Sequence, residues 1–190
     1  MTTARALTPA LRLLLALTVV LGLAYPLAMT AVARAVADQA DGSLIRIDDR
    51  VVGSSLLGQA VDEPGWFHAR ASASDHAGDT SGGSNLPASD ATQQQAVMER
   101  RAEIAQREGV DPSAVPADAL TASSSGLDPH ISPAYAALQV PRVAAERGLP
   151  VATVRELVAD HTKSPVAGFI GTDRVEVTEL NAALFELASR

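Results

Sequence analysis

The strongest pattern in the sequence is an apolar segment near its start, LLLALTVVLGLAYPLAMTAVA, over residues 13–33. The segment contains no charged residue, and as an α-helix it extends roughly 31 Å, about the thickness of the hydrocarbon core of a bilayer. Gly22 and Pro26 are compatible with a membrane helix, since neighbouring groups can satisfy the backbone that they disturb. The pattern therefore predicts a single transmembrane helix, placed at residues 13–36.

A cleaved signal peptide is the alternative interpretation of the same segment. Arg5 and Arg12 supply a basic start, and Ala35-Val36-Ala37 ahead of Asp38 has the small residues of a cleavage site. The apolar core of a signal peptide usually has about 7–15 residues, and this one is longer, which favours a retained anchor. Both interpretations carry the rest of the chain across the membrane.

The charges on either side of the span predict its orientation. Arg5 and Arg12 precede it without an acidic residue, whereas Arg34 and then Asp38 and Asp41 follow it, so Arg34 reduces the contrast. Because basic residues concentrate on the cytoplasmic side of a membrane, we expect residues 1–12 in the cytoplasm and residues 37–190 outside it. The predicted location is the cell membrane, crossed once.

After the span, apolar and polar positions alternate in ways that predict one small mixed α+β soluble domain. Asp48-Asp49 is expected to be a turn, Ser89 or Asp90 a helix cap, and Pro141 a helix break. The expected strands are Leu44–Ile47, Arg50–Val52, Val115–Ala122 and Arg174–Val177, and the expected helices are Ala91–Glu108, Pro133–Leu138, Pro141–Arg147, Val151–His161 and Thr178–Leu187.

Charge and composition exclude several classes of function for this domain. The chain has 15 basic residues, of which Arg5, Arg12 and Arg34 lie before or just after the span, so the remaining 12 face 22 acidic residues, a formal charge of −10. An acidic domain has no general footprint for nucleic acid, and we expect none as a partner. The chain has no cysteine, which excludes disulfides and thiolate metal sites.

The richest candidate chemistry lies in the stretch LTASSSGLDPHISPAYAALQVPRVAAER, residues 120–147. Asp128 and His130 could form a carboxylate–imidazole pair, with a serine of Ser123–Ser125 as nucleophile. The stretch lacks the Gly-x-Ser-x-Gly elbow, however, and two prolines make it a stiff loop in which Ser132 can cap a helix that begins at Pro133. We therefore expect a structural and docking element, with no catalytic residues.

Metal and nucleotide sites have little support in the sequence. The four histidines show no His-Glu-x-x-His or other tight ligand spacing, so no metal site is predicted. There is no Gly-x-x-x-x-Gly-Lys-Ser/Thr loop, and Lys163 is the only lysine of the chain. The chain also lacks the Asp-Lys-Thr-Gly-Thr phosphorylation motif of P-type pumps, so on its own it cannot be the ATPase of such a pump.

Five phrases of the sequence, taken in order, resemble one known family. They are Val52-Gly-Ser-Ser-Leu-Leu-Gly-Gln59, Trp66-Phe-His-Ala-Arg70, Ser81-Gly-Gly-Ser-Asn85, the run Asp128–Val143, and Gly168-Phe-Ile-Gly171 followed by Arg174-Val-Glu-Val-Thr-Glu-Leu-Asn181. With the single N-terminal anchor, they identify the chain as similar to the small C subunit of the bacterial Kdp-type potassium-transporting P-type ATPase. The chain departs from the family's sequence pattern at Ala60-Val61, Ala69, Ala71 and Asp90–Arg107.

The resemblance implies an accessory, non-hydrolysing subunit of an ATP-driven, high-affinity potassium uptake complex. Its partners would be a channel-like potassium-translocating subunit, a P-type ATPase subunit and membrane lipid. The family's C subunit is described as necessary for assembly and as a catalytic chaperone that raises the ATP affinity of the ATPase subunit, so ATP would belong to that partner. The rival hypothesis is an exported binding or hydrolytic protein released by a signal peptidase.

The candidate docking and structural residues come from the matching phrases and from the stiff loop beside them. They are Gly58, Gln59, Arg70, Asn85, Asp128, His130, Ser132 and Arg142. A cap on the potassium entrance outside the membrane is the role that the predicted topology favours.

Overall fold

The structure is a computed structural model that describes residues 2–188 of the chain. It divides into two compact units, Met1–Ser43 and Leu44–Arg190. The first unit is a nearly continuous helix, and the second is a mixed domain of helices and two small sheets. This confirms the predicted fold class, a single N-terminal apolar helix followed by a small α+β domain.

The N-terminal unit contains, in order, α1 (Thr2–Val19), a π-helical turn (Val20–Ala24), α2 (Tyr25–Ala33), a 3₁₀ turn (Arg34–Val36) and α3 (Ala37–Ala40). Among the described residues, Ala6–Ala40 is the one helical stretch long and apolar enough to cross a membrane. The limits of residues 13–36 for the span itself remain a prediction.

Pro26 accounts for the π-helical turn. Proline has no N–H to donate to the carbonyl four residues earlier, and its ring presses on that carbonyl. The chain widens the preceding turn, so that Tyr25 N donates to Val20 O, five residues back. The hydroxyls of Thr18 and Thr30 donate to carbonyls four residues back, each at 2.8 Å, so both are satisfied within the helix.

The domain begins with a β-hairpin, β1 (Leu44–Ile47) and β2 (Arg50–Ser54), paired antiparallel. Asp48 and Asp49 have φ of 48° and 62°, the left-handed conformation that tight hairpin turns require. The turn predicted at these two residues is confirmed.

A second sheet has the order β3-β5-β4, all antiparallel, from β3 (His130–Ile131), β4 (Thr162–Lys163) and β5 (Arg174–Glu176). The helices of the domain are α4 (Ala91–Glu108), α5 (Ala117–Leu120), α6 (Pro133–Arg147), α7 (Val151–Asp160) and α8 (Val177–Ala188). Glu176, buried at the end of β5, caps α8 by accepting from Thr178 N at 3.0 Å and Glu179 N at 2.5 Å.

The core of the domain lies around α6 and α8. Its largest fully buried apolar side chains are Phe67, Tyr135, Val140, Val143, Val154, Val175, Leu180 and Leu184. Helix α4 contributes only Ile104 and Ala105 to the buried apolar side chains. Asp90 caps α4, accepting from Thr92 N and Gln93 N, and Gly109 ends it with φ of 66°.

The predicted break at Pro141 is wrong, because α6 runs unbroken from Pro133 to Arg147. The helix tolerates the proline because Pro141 and Ala137, whose carbonyl loses its partner, both lie on the exposed side and can meet water. The apolar face of α6 continues past the proline, from Tyr135 and Val140 to Val143.

The strand predicted at Val115–Ala122 is also wrong. Pro116 precedes a single helical turn, α5, which buries Ala119 and Leu120 next to each other. Adjacent buried residues suit a helical turn, whereas a strand would direct them to opposite faces.

Candidate functional site

Arg70, Asp128 and His130 meet in one polar cluster on the domain. Asp128 Oδ1 accepts from His130 Nδ1 at 3.1 Å and from His130 N at 3.0 Å, while its Oδ2 accepts from Arg70 Nη1 at 3.2 Å. The Asp128 side chain is 29% exposed. The geometry is a carboxylate held by an arginine on one side and by the start of β3 on the other.

The charge of Asp128 is stabilised by its neighbours. Burial alone acts to raise the pKa of this carboxyl, but the hydrogen bonds from the His130 ring and backbone, together with the positive charge of Arg70, lower it below its usual range. Arg70 also bonds Thr121, donating from Nη2 to its Oγ1 at 3.2 Å and to its carbonyl at 3.3 Å. The guanidinium therefore ties the Asp128 loop to the chain after α5.

The serines beside Asp128 and His130 form hydrogen bonds to backbone groups. Ser123 is the most buried of these serines, with 1% of its surface exposed. Ser123 Oγ accepts from Gly126 N at 3.0 Å and Asp128 N at 3.3 Å. Ser72 Oγ donates to Gly126 O at 2.6 Å. Such short polar side chains fix loop geometry by replacing backbone partners.

The distant Ser81–Asn85 loop and the Gly58 turn both contact the stretch 123–130, the loop at Ser125 and the turn at Leu127 and Asp128. Gly82 N and Ser81 Oγ both donate to Ser125 O, at 2.7 and 3.0 Å. Gly58 N donates to Leu127 O at 2.8 Å, and a Cβ at Gly58 would lie 2.7 Å from Asp128 O, so only glycine fits. We call this assembly, residues 58, 70–72, 81–83 and 123–130, the polar-loop cluster.

Ser132 stands next to the polar-loop cluster and has a structural task. Its Oγ accepts from Tyr135 N at 3.0 Å, which caps α6 as predicted, and donates to Asp118 Oδ1 at 2.8 Å. Its backbone N also donates to Asp118, at 2.9 Å. The serine thereby joins α5 to the start of α6.

Arg142 belongs to a separate buried network. Its Nε donates to Glu108 Oε2 at 2.9 Å, and its Nη2 donates to Gln139 Oε1 at the same distance. Arg107 completes the network. Its Nε donates to Glu108 Oε1 at 2.9 Å, and its Nη2 donates to the Tyr135 hydroxyl at 3.0 Å. With only 8% of its side chain exposed, Arg142 is placed to hold the core.

Gln59 and Asn85 lie outside the polar-loop cluster. Gln59 Nε2 donates to Val52 O at 3.0 Å, and the residue lines a cavity of about 440 Å³ between the hairpin and α8. Trp66 and Phe185 stack in that cavity with ring centroids 6.4 Å apart. Asn85 is exposed with φ of 53°, at the end of the Ser81–Asn85 loop.

Sequence reasoning missed three buried or half-buried polar residues that organise the domain: Gln139, Asn181 and Glu108. Gln139 is fully buried and bonds His68 through both backbone groups, at 2.8 and 3.1 Å. Asn181 does the same for Phe67, at 2.9 Å each way. Gln139 and Asn181 could have been found from the sequence, because each is a polar amide on the apolar face of a helix. Glu108 gave no such signal, because it lies at the end of a polar helix.

The Asp128–His130 pair has the orientation of an acid and a base, but the nucleophile is missing from the arrangement. Within residues 2–188, no serine hydroxyl bonds the His130 ring, and Ser123 Oγ is occupied by backbone N–H groups. Over the same residues no group of three or more His, Cys, Asp or Glu could hold a metal ion. What the cluster presents is a rigid polar surface.

One apolar N-terminal helix long enough to cross a membrane, followed by a small α+β domain with hydrogen-bonded polar loops, is the architecture that the described residues define. Residues 7–186 match the family described as KdpC: K+-transporting ATPase, c chain. The chain belongs to this family and is thus a membrane-associated subunit of a potassium-transporting ATPase complex.

Several curated relatives carry the name potassium-transporting ATPase KdpC subunit. The chain is 48% identical over 179 residues to that of Cereibacter sphaeroides, covering 94% of this chain and 95% of the relative. It is 51% identical over 184 residues to that of Sorangium cellulosum, with coverage of 94% and 96%. It is 44% identical over 213 residues to that of Streptomyces coelicolor, with coverage of 98% and 94%.

Proposed function

We propose that this chain is the accessory, non-hydrolysing subunit of a high-affinity potassium uptake complex, and that its domain stabilises the assembly of a channel-like subunit with a P-type ATPase subunit. The observation that supports this role is the polar-loop cluster. Three separate segments, residues 58, 70–72 and 81–83, are each hydrogen-bonded to the stretch 123–130, and their hydroxyls and glycines fix the backbone there. A preformed surface loses little conformational entropy when a partner binds.

The docking face that we propose lies along the polar-loop cluster. Leu56 and Leu57 are 59% and 37% exposed, and with Arg70 and the chain from Ala122 to Pro129 they line a shallow cavity of about 660 Å³. Exposed leucines beside a fixed polar rim are typical of protein interfaces. In this proposal Asp128 and His130 hold the rim in shape, and Ser132 and Arg142 support it from the core.

We place the domain outside the cytoplasm, over the entrance through which potassium reaches the channel-like subunit. The basic residues Arg5 and Arg12 before the helix support this orientation. A domain charge of −10 could also raise the local potassium concentration, within about a Debye length of 8–10 Å.

We also propose that this subunit raises the ATP affinity of the ATPase subunit indirectly. The sequence has no phosphate-binding loop, and Lys163, its only lysine, is paired with Glu179 at 2.6 Å. By binding one conformation of the ATPase subunit more tightly, this subunit can raise the ATP affinity of that conformation without contacting nucleotide.

The test is Asp128→Ala, introduced into the intact complex. Loss of this carboxylate removes the bonds to the start of β3 and to Arg70, a loss comparable to that of a helix cap, about 0.5–2 kcal/mol. We expect less complex to be recovered from detergent-solubilised membranes, with little change in potassium-stimulated ATPase activity per assembled complex.

Asp111→Ala is the matched control, because Asp111 also accepts from a backbone N–H two residues ahead, at Ser113, but lies at an exposed 3₁₀ turn. It should leave recovery unchanged. Full assembly of the Asp128 variant with an inactive pump would contradict the docking role and indicate a catalytic one.

A further inference from the structure

The connection between β4 and β5 ends in an exposed apolar tip, Val166–Ile170. Phe169 is 79% exposed, more than any other large apolar side chain described, and Val166 and Ile170 are 60% and 56% exposed. Nothing in the polar-loop cluster or the core uses these side chains. Three large apolar side chains exposed together on the surface of a domain indicate that this part of the surface makes a contact.

The backbone of the apolar tip is closed on itself. Val166 and Ile170 exchange both N–H···O bonds, each at 3.0 Å, and Gly168 N and Phe169 N donate to Pro165 O and Val166 O. Ala167 and Gly168 take left-handed φ of 54° and 82° to close the turn. Four of the five N–H groups therefore have partners inside the turn, which lowers the cost of moving it out of water.

The side chains of the apolar tip offer no hydrogen bond at all, since its sequence is VAGFI. The charges appear only at its base, where Lys163 lies opposite Arg174 in the strand register and donates to Glu179 Oε2 at 2.6 Å. Asp173 lies beside Arg174, so two basic and two acidic residues balance. An apolar end on a balanced charged base fits a zwitterionic lipid surface.

We infer that the apolar tip, Val166–Ile170, inserts shallowly into the lipid bilayer beside the complex. A protein pocket is the less fitting occupant, because protein interfaces form about one hydrogen bond per 100–200 Å² and the tip can give none from its side chains. Three side chains also fall well short of the roughly 800 Å² that each partner of a stable complex buries.

Weak insertion is sufficient because the domain shares its chain with the apolar helix Ala6–Ala40. Linkage to an anchor replaces free encounter with a high effective concentration of membrane, so a contact that is marginal alone becomes populated. The inference needs only this linkage, and it does not depend on the orientation or the docking face proposed above.

The experiment uses the full chain, which has no cysteine of its own. Phe169→Cys carries an environment-sensitive fluorophore, and the protein is placed in phosphatidylcholine nanodiscs with or without nitroxide-labelled phosphatidylcholine. Met98→Cys is the control, at a 62% exposed site on α4. We expect nitroxide lipid to quench the label at 169 at least about twofold more than the label at 98.

Ile170→Cys gives a second position if the label at 169 perturbs the turn, and it should be quenched in the same way. Equal, weak lipid quenching at 98 and at both tip sites, with full access to aqueous iodide, overturns the inference. The labelled chain is then assembled with unlabelled partner subunits. If a tip label loses lipid quenching there and stays hidden from iodide, a partner's pocket holds the tip and the inference is wrong.

Discussion

Arg142 and Glu108 form an ion pair that is almost completely removed from water. Nε and Oε2 are 2.9 Å apart, and the two side chains are 8% and 0% exposed. Arg142 also donates to the carbonyls of Pro64 and Trp66, so the pair joins α4, α6 and the segment before the core residue Phe67. One ion pair therefore positions three parts of the domain.

Glu108→Gln should strongly destabilise the domain. The substitution keeps the volume but leaves the Arg107 and Arg142 guanidinium groups without their counter-charge, and breaking a buried pair in this way costs roughly 3–5 kcal/mol. Urea unfolding of the chain in detergent measures the loss. Glu103→Gln, on the exposed side of the same helix, should stay within about 0.5 kcal/mol of the parent. Equal stability of the two variants would show that the pair contributes little.

Gly58→Ala tests the close contact inside the polar-loop cluster. The added Cβ would lie 2.7 Å from Asp128 O and 3.2 Å from the carbon of the same carbonyl, so two backbone segments must separate. We expect a loss of about 1–3 kcal/mol, as for overpacking elsewhere. Gly78→Ala is the control, since nothing lies within 4 Å of its Cβ position. If thermal unfolding shows both substitutions to be equally mild, the loops are not in fixed contact.

His68 makes the stability of the domain depend on pH. Burial, and next the charges of Arg107 and Arg142, lower the pKa of His68 from 6.5 to about 4. The unfolded chain therefore binds the proton first, so the stability from neutral His68 is complete above pH 6.5 and is lost as the pH falls toward 4. The loss should reach at most about 3 kcal/mol.

The measurement is urea unfolding at pH 7 and pH 4.5 in the parent and in His68→Gln. The glutamine variant should lack the part of the pH dependence that lies between 6.5 and 4. An identical pH dependence in both proteins would mean that His68 titrates normally in the folded state.

Single cysteines can establish the side of the membrane on which the domain lies. Ser84→Cys, in the exposed Ser81–Asn85 loop, should react with a membrane-impermeant maleimide in intact cells if the domain is outside. Thr3→Cys, before the span, should react only after the cells are opened. A reversed pattern of labelling would place the domain in the cytoplasm.

The apolar helix should remain in the mature protein. The uncharged segment of residues 13–33, inside the helical stretch Ala6–Ala40, is longer than the apolar core of a signal peptide, which usually has about 7–15 residues. Intact-mass measurement should find the complete N-terminal segment, and alkaline carbonate should leave the protein in the membrane. A mature chain that begins near Asp38 and is released by carbonate would instead support the exported-protein alternative.

The parts of this fold that depend on near neighbours in sequence were predictable. Asp90 and Ser132 cap their helices, and Asp48-Asp49 turns the hairpin, because each acts on groups within a few residues. Pro141 misled the prediction because whether a proline breaks a helix depends on which side of it faces water, which only the tertiary fold determines.

The composition of the candidate site was predictable only in part, for a related reason. Gly58, Arg70 and Asp128 were chosen from phrases that match a family, yet their direct contacts span up to 70 positions of the chain, since Gly58 packs on Asp128. Local pattern carries no information about such pairs. Arg142 was chosen with them, and the structure separates it into the buried network with Glu108.

The π-helical turn ahead of Pro26 has a consequence for the membrane helix as a binding partner. A turn with one additional residue rotates everything after it by about 100° relative to a regular α-helix. Side chains of Leu13–Val19 and of Tyr25–Ala33 that share a stripe on a regular helical wheel therefore point in different directions. One straight neighbouring helix cannot follow a single seam along both halves, so α1 and α2 are suited to contact two different neighbours.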